Sequence, residues 1–598
     1  MRTNASCSTF ATPEPYLQSL AALWQSDPNL AKRIESADDG RALQATSHTP
    51  TSVRVGPDVL ATAVEGVETA LPIWRATGST KGAAVVACWV PDLETLTDGL
   101  LLPDVAEMVA DQRVRLFIGN EDPAVVADRL SGRSVHLAGG VTCIGESPEF
   151  KAFAAVVEAL AERERTNVST TIQHSRRTTM NVAGNLVRYA TSPGIGFLQN
   201  AAKGRAGILV SAGPSLRRNV DRLRDARDAG FVIVAVQTAV KPLLAAGVTP
   251  HLVCSLDHSE IAARFMQDLP DDLDALLVAE PKANPVVIDT WSNGGTRPVA
   301  LLGNVTAESM LRELACDRPT LPASATVAHL AFRVIEYLGC DTAVLVGQDL
   351  GFADGLAYAP GTGYDDAWRP ETGRFCTFEM KQWEQIARDR RALATVTDYR
   401  GNPAYTEQRL ATYLHQFEQM FAETALEVVD ATEGGIAKRG ATLDTLDHAI
   451  EQFRSDAGPF EVPEPESTTT IDAEDVARCL SHRLAEAERI ADIADATAGP
   501  VRQTLEHPSD ASIVNRAVAE IDRIRRPLAN DLDLSRTFGL CATMTQQSEH
   551  DRVLADIRIE AAGGDDVQRR RQTSRRDLSH VEATALAARD LANVLRSL

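Results

Sequence analysis

The chain is short of positive charge, of aromatic residues (5%) and of paired cysteines. Its 60 Lys and Arg stand against 82 Asp and Glu, a formal net charge of −22. So acidic a chain is a poor general binder of nucleic acid or anionic membrane, and any phosphate it holds must be held by local groups. The nine cysteines (Cys7, Cys88, Cys143, Cys254, Cys316, Cys340, Cys376, Cys479 and Cys541) contain no C-x-x-C pair. That spacing excludes a disulfide framework and a zinc knuckle, and it fits a reducing compartment. Long apolar runs are lacking too. The most apolar stretch, residues 231–248, is broken by Gln237, Lys241 and Pro242, whereas a membrane span needs about 20 apolar residues. The opening MRTNASCSTFATPEP has no apolar core of the kind a secretory signal carries. A cytoplasmic protein without a membrane span or a nucleic-acid partner is expected.

What is present is ordinary for a folded protein: 44% apolar and 24% charged residues over 598 positions, enough for two or three domains. Residues 1–165 read as a mixed α/β domain, with a helical stretch YLQSLAALWQ and extended segments AAVVACW and RVRLFIGNEDP. Residues 165–195 read as helix leading into a central domain that runs from 166 to 455. From 206 the runs AGILV, FVIVAV, HLVCSL, ALLVAE, PVALLG and TAVLVG alternate with helical stretches. Continuous apolar runs suit strands buried on both faces, so a doubly wound, Rossmann-like parallel sheet is expected. Further on, EMKQWEQIARDRRALATV and TEQRLATYLHQFEQMFAETA read as helices and LEVVDA as a strand. The Pro-, Glu- and Thr-rich residues 456–470 read as a linker. Beyond it, Val476, Leu480, Leu484, Ala487 and Ile490, then Leu578, Val581, Ala585, Ala588, Leu591 and Leu595, recur at helical spacing. They predict a helical C-terminal domain over 471–598. The run RRRQTSRRD (569–577) reads as a solvated, helix-terminal cluster rather than a docking patch.

The segment ILVSAGPSLRRNVDRL (208–223) is the chemical centre of this reading. A strand ends at Val210; Ser211, Ala212 and Gly213 make a turn; Pro214 suits a first helical position; Ser215 and Leu216 follow. Small residues let the backbone approach an anion, and a helix start aims unpaired N–H groups at it. The turn is neither G-x-x-x-x-G-K-[ST] nor G-x-G-x-x-G, and a tight turn without ligand is the plain alternative. Other strand ends add polar groups where ligands of such sheets lie. Gln237 and Thr238 can read a base or sugar edge, Asp257 and His258 follow a third strand, and Gln348 and Asp349 follow another. Asp257 can equally cap a helix and Asp349 fix a turn. His251 and His329 read as a strand start and a helix face.

SAGPSL (211–216), GVTPHLVCSLD (247–257), SATVAHLAFRVIEYLGCDTAVLVGQDLGFADG (324–355), ATEGGIAKRG (431–440) and the NEDP segment (120–123) stand together in one order. Over roughly residues 15–455 this pattern resembles the motility-associated factor (Maf) glycosyltransferases, which share the DUF115 or MptE-like domain. It is also similar to bacterial sialyltransferases, whose G-P-S-L turn holds the phosphate of CMP-sialic acid. The resemblance implies transfer of a nonulosonic acid, of pseudaminic or legionaminic type, from a CMP donor to Ser or Thr hydroxyls of flagellin. It implies no metal and no cofactor. It adds Thr432, Glu433, Gly434 and Gly435 to the donor site, with Lys438 or Arg439 as cationic help. The two D-x-D matches, Asp272-Leu273-Asp274 and Asp531-Leu532-Asp533, read as caps or loops. The family's D-G-K-T-H-A is here DGLAYAP, with Leu356 and Tyr358 where lysine and histidine are usual.

Such a transfer must stabilise a phosphate leaving group and remove a proton from the acceptor hydroxyl. The first task falls to residues 211–216. Asp257 and His258 lead as bases, with Asp349, Tyr358 and Glu407 as further candidates. Two rival readings stand beside it. One is an MptE-like diphosphokinase using ATP and Mg²⁺ on a carboxylate cluster of Asp257, Asp349 and Asp354. The other is a non-catalytic flagellin-binding or export factor.

Overall fold

The computed structural model describes residues 14–37, 61–76, 85–130, 133–138, 140–314, 316, 318–388, 390, 393–465, 471–561 and 565–598. Residues 1–13, which hold Cys7 and most of the segment read for a signal, lie outside them, as do 466–470 of the expected linker. Two compact units form. One takes Met1–Arg176, Ala491–Asn530 and Thr545–Ala587; the other takes Arg177–Ile490, Asp531–Met544 and Ala588–Leu598. The helices expected after 470 form, as Ala473–Glu506, Ala511–Asn530, Leu532–Met544, Gln546–Ala561 and Asp566–Ser597.

In the first unit, strands β1 (Ala61–Glu65), β2 (Val85–Val90), β3 (Val114–Ile118) and β4 (Val141–Ile144) pair in parallel in the order β3-β2-β1-β4. The YLQSLAALWQ stretch lies in the helix Glu14–Ser26. Tyr16, Leu20 and Leu23 of that helix join the core on one face of the sheet, with Val86 and Leu116.

The second unit carries every apolar run as a strand: β5 (Ala206–Val210), β6 (Val232–Val236), β7 (Leu252–Ser255), β8 (Leu276–Ala279), β9 (Val299–Leu301) and β10 (Thr342–Val346). With β13 (Glu427–Asp430) and β14 (Thr442–Leu443) they build an eight-stranded parallel sheet, ordered β14-β13-β10-β5-β6-β7-β8-β9. All residues of β5, β6, β7, β8, β9 and β10 are buried, as strands covered on both faces must be. Each buried Val, Ile or Leu side chain contributes about 2 kcal/mol of transfer free energy. The helix Val327–Tyr337 starts at Thr326, whose Oγ1 accepts the His329 N–H, and buries Leu330, Ala331, Val334 and Ile335. It approaches β5 so closely that a Cβ on Gly207 would lie 2.7 Å from Ile335.

The structure differs from expectation at 379–396. The helix ends at Arg388, and Leu393–Thr397 is a strand, β11, antiparallel to β12 (Pro403–Glu407). Thr395, Val396 and Thr397 are β-branched, and Asp398 stitches the turn by accepting the Arg400 and Asn402 N–H groups (both 2.8 Å). The D-x-D matches behave as read. Asp271–Asp274 lie in a loop, and Asp531 caps the helix Leu532–Met544 through the Leu534 N–H (3.1 Å). Among the described residues no helix is long and apolar enough to cross a membrane.

Candidate functional site

Strands β6 to β9 extend the sheet to one side of β5, while β10, β13 and β14 lie on the other. The carboxyl edge between β5 and β10 is therefore the topological switch point, the place where sheets of this kind open a crevice. Three segments close on it: the turn Ser211–Leu216 after β5, Gly347–Gly351 after β10, and Ala431–Lys438 after β13.

Their meeting point is Asp349. It is 3% exposed, and its Oδ2 accepts both the Ser215 N–H (3.2 Å) and the Ser215 hydroxyl (2.7 Å). The Asp349 carbonyl accepts the Ile436 N–H (2.8 Å), so one residue ties the turn to the loop after β13. Glycines make room for it. A Cβ on Gly213 would stand 2.0 Å from Asp349 Oδ2 and 2.5 Å from the Gly347 carbonyl, and one on Gly435 would meet the Asp349 backbone at 2.4 Å. The chain is bent hard here. Leu350 and Glu433 both have φ +54, a left-handed geometry that side-chain-bearing residues keep only where their surroundings enforce it.

Burial pushes the Asp349 pKa from the ordinary 3.8 up to about 6, against the pull of Ser215, Lys438 and Arg218. Its second oxygen, Oδ1, is buried without a hydrogen-bond partner. This arrangement corrects the sequence reading. The Ser215 amide and hydroxyl, expected to face a phosphate, hold a carboxylate of the chain itself, and Ser215 is fully buried. Nor is Pro214 a first helical position. The helix begins at Leu216 and lasts one turn, to Asn219. The Gly213 N–H is bonded to the Gly347 carbonyl (2.9 Å).

The remaining expected residues divide into groups. Ser211 Oγ donates to Gln348 Oε1, and the Gln348 N–H reaches Thr432 Oγ1 (3.3 Å), so these join the Asp349 cluster. Ala212 accepts the Ala359 N–H (2.9 Å). The Glu433 side chain turns away to accept the Leu446 N–H (3.0 Å), while Gly434 stays against Ser215 and Asp349. A second cluster forms after β6 and β7. Gln237 takes a hydrogen bond from Ser255 Oγ (2.6 Å) and approaches Asp257 at 3.5 Å, with Thr238 half-buried beside it. Asp257 Oδ1 accepts the Ser259 N–H (3.0 Å), an Asx turn ahead of the 3-10 helix Glu260–Phe265; the N-cap there is Ser259 and not Asp257.

His258 stands next in the chain, its carbonyl bonded by Asn181 Nδ2 (3.0 Å). Tyr358 stacks on Tyr364 (ring centroids 4.5 Å apart), and burial with Tyr364 pushes its phenol above the ordinary 10. Glu407 is paired with Arg409 (2.6 Å). His251 and His329 are core residues, and desolvation lowers them to about 3 and about 4.

The expected cationic help is engaged elsewhere. Lys438 is buried on Asp430 (2.8 Å), and Arg439 pairs with Glu418 (2.7 Å). The cations at the crevice are instead Arg217 and Arg218, directly after SAGPSL. Both donate to Asp354 Oδ2 (2.6 and 2.9 Å), and Arg218 also reaches the Glu433 carbonyl. Two partly exposed guanidinium groups thus share one carboxylate. Asn219 adds a buried, unpartnered Oδ1 while its Nδ2 holds the Ala431 carbonyl (3.0 Å). The Arg217-Arg218-Asn219 run was legible as letters; its position at the crevice needed the fold. Among the described residues no three His, Cys, Asp or Glu side chains gather as a metal-binding group. In particular Asp257, Asp349 and Asp354 do not form the contemplated cluster.

Comparison with known proteins agrees with this architecture. Residues 180–355 match the family model described as 6-hydroxymethylpterin diphosphokinase MptE-like. No curated protein sequence matches. Among solved structures, the Maf glycosyltransferase from Magnetospirillum magneticum AMB-1 superposes with a TM-score of 0.56 at 13% identity, over 98% of this chain and 97% of that one. The MptE-like match holds SAGPSL, GVTPHLVCSLD and the run that ends at Gly355, but stops short of ATEGGIAKRG, and the resemblance to Maf proteins holds at the level of the fold.

Proposed function

We propose that the chain is a glycosyltransferase that moves a nonulosonic acid from a CMP-activated donor to Ser or Thr hydroxyls of flagellin in the cytoplasm. The observation that carries this reading is the reach of the fold likeness. It spans nearly the whole of both chains, flanking regions included, where the pterin-kinase model covers the central segment alone.

In this reading the donor phosphate does not sit on the Ser215 amide. It lies by the half-buried Gly213 at the mouth of the turn, with Arg217 and Arg218 neutralising it. The side chains of that pair are 44% and 34% exposed and share Asp354. A preorganised cationic donor at a leaving phosphate contributes roughly 3 kcal/mol in a dry site. Asp349 then acts by holding both glycine turns in place. Asp257 or His258 takes the acceptor proton; the Gln237–Asp257 contact favours the carboxylate as the better-oriented of the two.

A thermal-shift screen tests the reading. CMP without added metal is expected to raise the melting temperature, and Arg217→Ala/Arg218→Ala is expected to lose the shift with an unchanged circular dichroism spectrum. The family model's own description favours one alternative, diphosphate transfer from ATP. A shift with ATP and Mg²⁺ but none with CMP would establish that alternative. Silence with both nucleotides would favour a non-catalytic flagellin-binding factor.

A further inference from the structure

The helices Gln546–Ala561 and Asp566–Ser597 leave a cavity of about 430 Å³ between them, within the first unit. The first helix supplies Asp551, Arg552, Ala555 and Ile559, the second Gln572, Arg575, Arg576 and Ser579. Spacings of three and four residues place each set on one helical face. Two packed helices ordinarily close such a seam with interdigitating apolar side chains. Here the wall of the cavity sets Ala555 and Ile559 beside charged and polar side chains.

The charges are unevenly used. Arg552 is matched by Glu549 (Nε–Oε2 2.8 Å) and Arg576 by Asp577 (2.6 Å) and Asp556. Asp551, the one carboxylate in the wall, already accepts from Gln547 Nε2 (2.9 Å). Arg575 makes no hydrogen bond or ion pair among the described residues. It stands with Gln572 and Ser579 as unused donors along the same face. The cavity also falls within the usual span for small-molecule pockets, about 300–1,000 Å³.

We infer that this cavity binds a small amphipathic anion, its apolar body on Ala555 and Ile559 and its carboxylate or phosphate head on Arg575, Gln572 and Ser579. The basic run at 569–577, read from sequence as a solvated cluster, is in part the wall of this site.

The probe is anilinonaphthalene sulfonate, an aromatic anion, titrated by fluorescence into the full-length chain beside the uncharged phenyl-naphthylamine. Saturable one-to-one binding of the sulfonate is expected. Arg575→Glu, at an exposed position, should weaken it about tenfold or more, since a guanidinium–anion contact of about 1.4 kcal/mol is tenfold in affinity. Ala555→Trp fills the seam and should abolish binding of the anion. Absence of saturable binding overturns the inference, as does unchanged affinity in Arg575→Glu or equal affinity for the uncharged analogue. If Ala555→Trp fails to fold, Arg575→Glu alone decides. A CMP shift unaltered by Arg575→Glu separates this site from the crevice at Asp349.

Discussion

Two parallel sheets in this molecule solve the same topological problem with opposite electrostatics. In each, the first strand sits inside the sheet and the last major strand returns to its other side: β4 beside β1, β10 beside β5. In each, a carboxylate of the chain occupies the resulting crevice. Glu65, at the end of β1, accepts the Glu146 and Ser147 N–H groups (2.8 and 3.2 Å) ahead of the helix Pro148–Gly184. Burial alone would raise its pKa, but the Ser147 hydroxyl, both amides and Lys151 together hold it below the ordinary 4.5. Asp349 sits in a similar seat on Ser215, yet there burial dominates and one oxygen goes unmatched. A carboxylate that is content in its seat reads as a cap. One held at a cost reads as part of a site, because folds keep such strain where function requires it.

The sharpest break in the comparison is expected at the neighbouring ion pairs. Lys438 and Asp430 are 0% and 1% exposed, so Lys438→Met strands a buried carboxylate and should cost about 3–5 kcal/mol. An exposed ion pair of the first unit, Arg75 with Asp104, has side chains 50% and 57% exposed. Arg75→Met should therefore cost about 1 kcal/mol or less. Urea midpoints followed by circular dichroism compare the two, and equal losses would mean that the crevice at β10 is no more desolvated than the first unit's surface.

Asp349 gives the next effect, and its sign is opposite to that of an ordinary acid. Its folded pKa of about 6 lies above the unfolded 3.8. The unfolded chain releases its proton first, and stability falls as pH rises from about 4 to about 6. Two pKa units correspond to about 3 kcal/mol. Asp349→Asn keeps the shape and an oxygen for Ser215 and should flatten that part of the stability profile. A wild-type minus variant difference that stays constant between pH 4 and pH 7 would show that Asp349 is not strained.

The sheet of the second unit was readable because each of its principal strands is an unbroken apolar run, a pattern that parallel strands covered on both faces produce. The Gly213, Gly434 and Gly435 positions were readable as well, since small residues at strand ends mark close backbone approach. What could not be read was which anion they approach. Asp349 lies 134 residues from Ser215, and only the pairing of β5 with β10 brings them together. Lys438 lies only eight residues from Asp430, and its capture there depended on the path of the loop after β13, which left Arg217 and Arg218 as the exposed cations. At 393–397 the helical reading failed because the spacing of LATVT fits either period, and pairing with β12 decided it.

The smallest effect closes the comparison from the other sheet. Glu65→Gln keeps an acceptor oxygen for the Glu146 and Ser147 amides but removes its charge, and capping with solvent screening makes this worth about 0.5–1 kcal/mol at neutral pH. Because Glu65 is held below its ordinary pKa, its contribution is present above pH 4.5 and fades as pH falls through the lowered value. The wild-type advantage over Glu65→Gln should therefore shrink as pH falls below about 4.5, whereas the wild-type advantage over Asp349→Asn should grow as pH falls from about 6 to about 4. Urea midpoints of both variants along one pH series test this directly. If the two difference curves slope in the same direction, the carboxylates are equivalent caps and the crevice at β5 and β10 loses its claim to be the site.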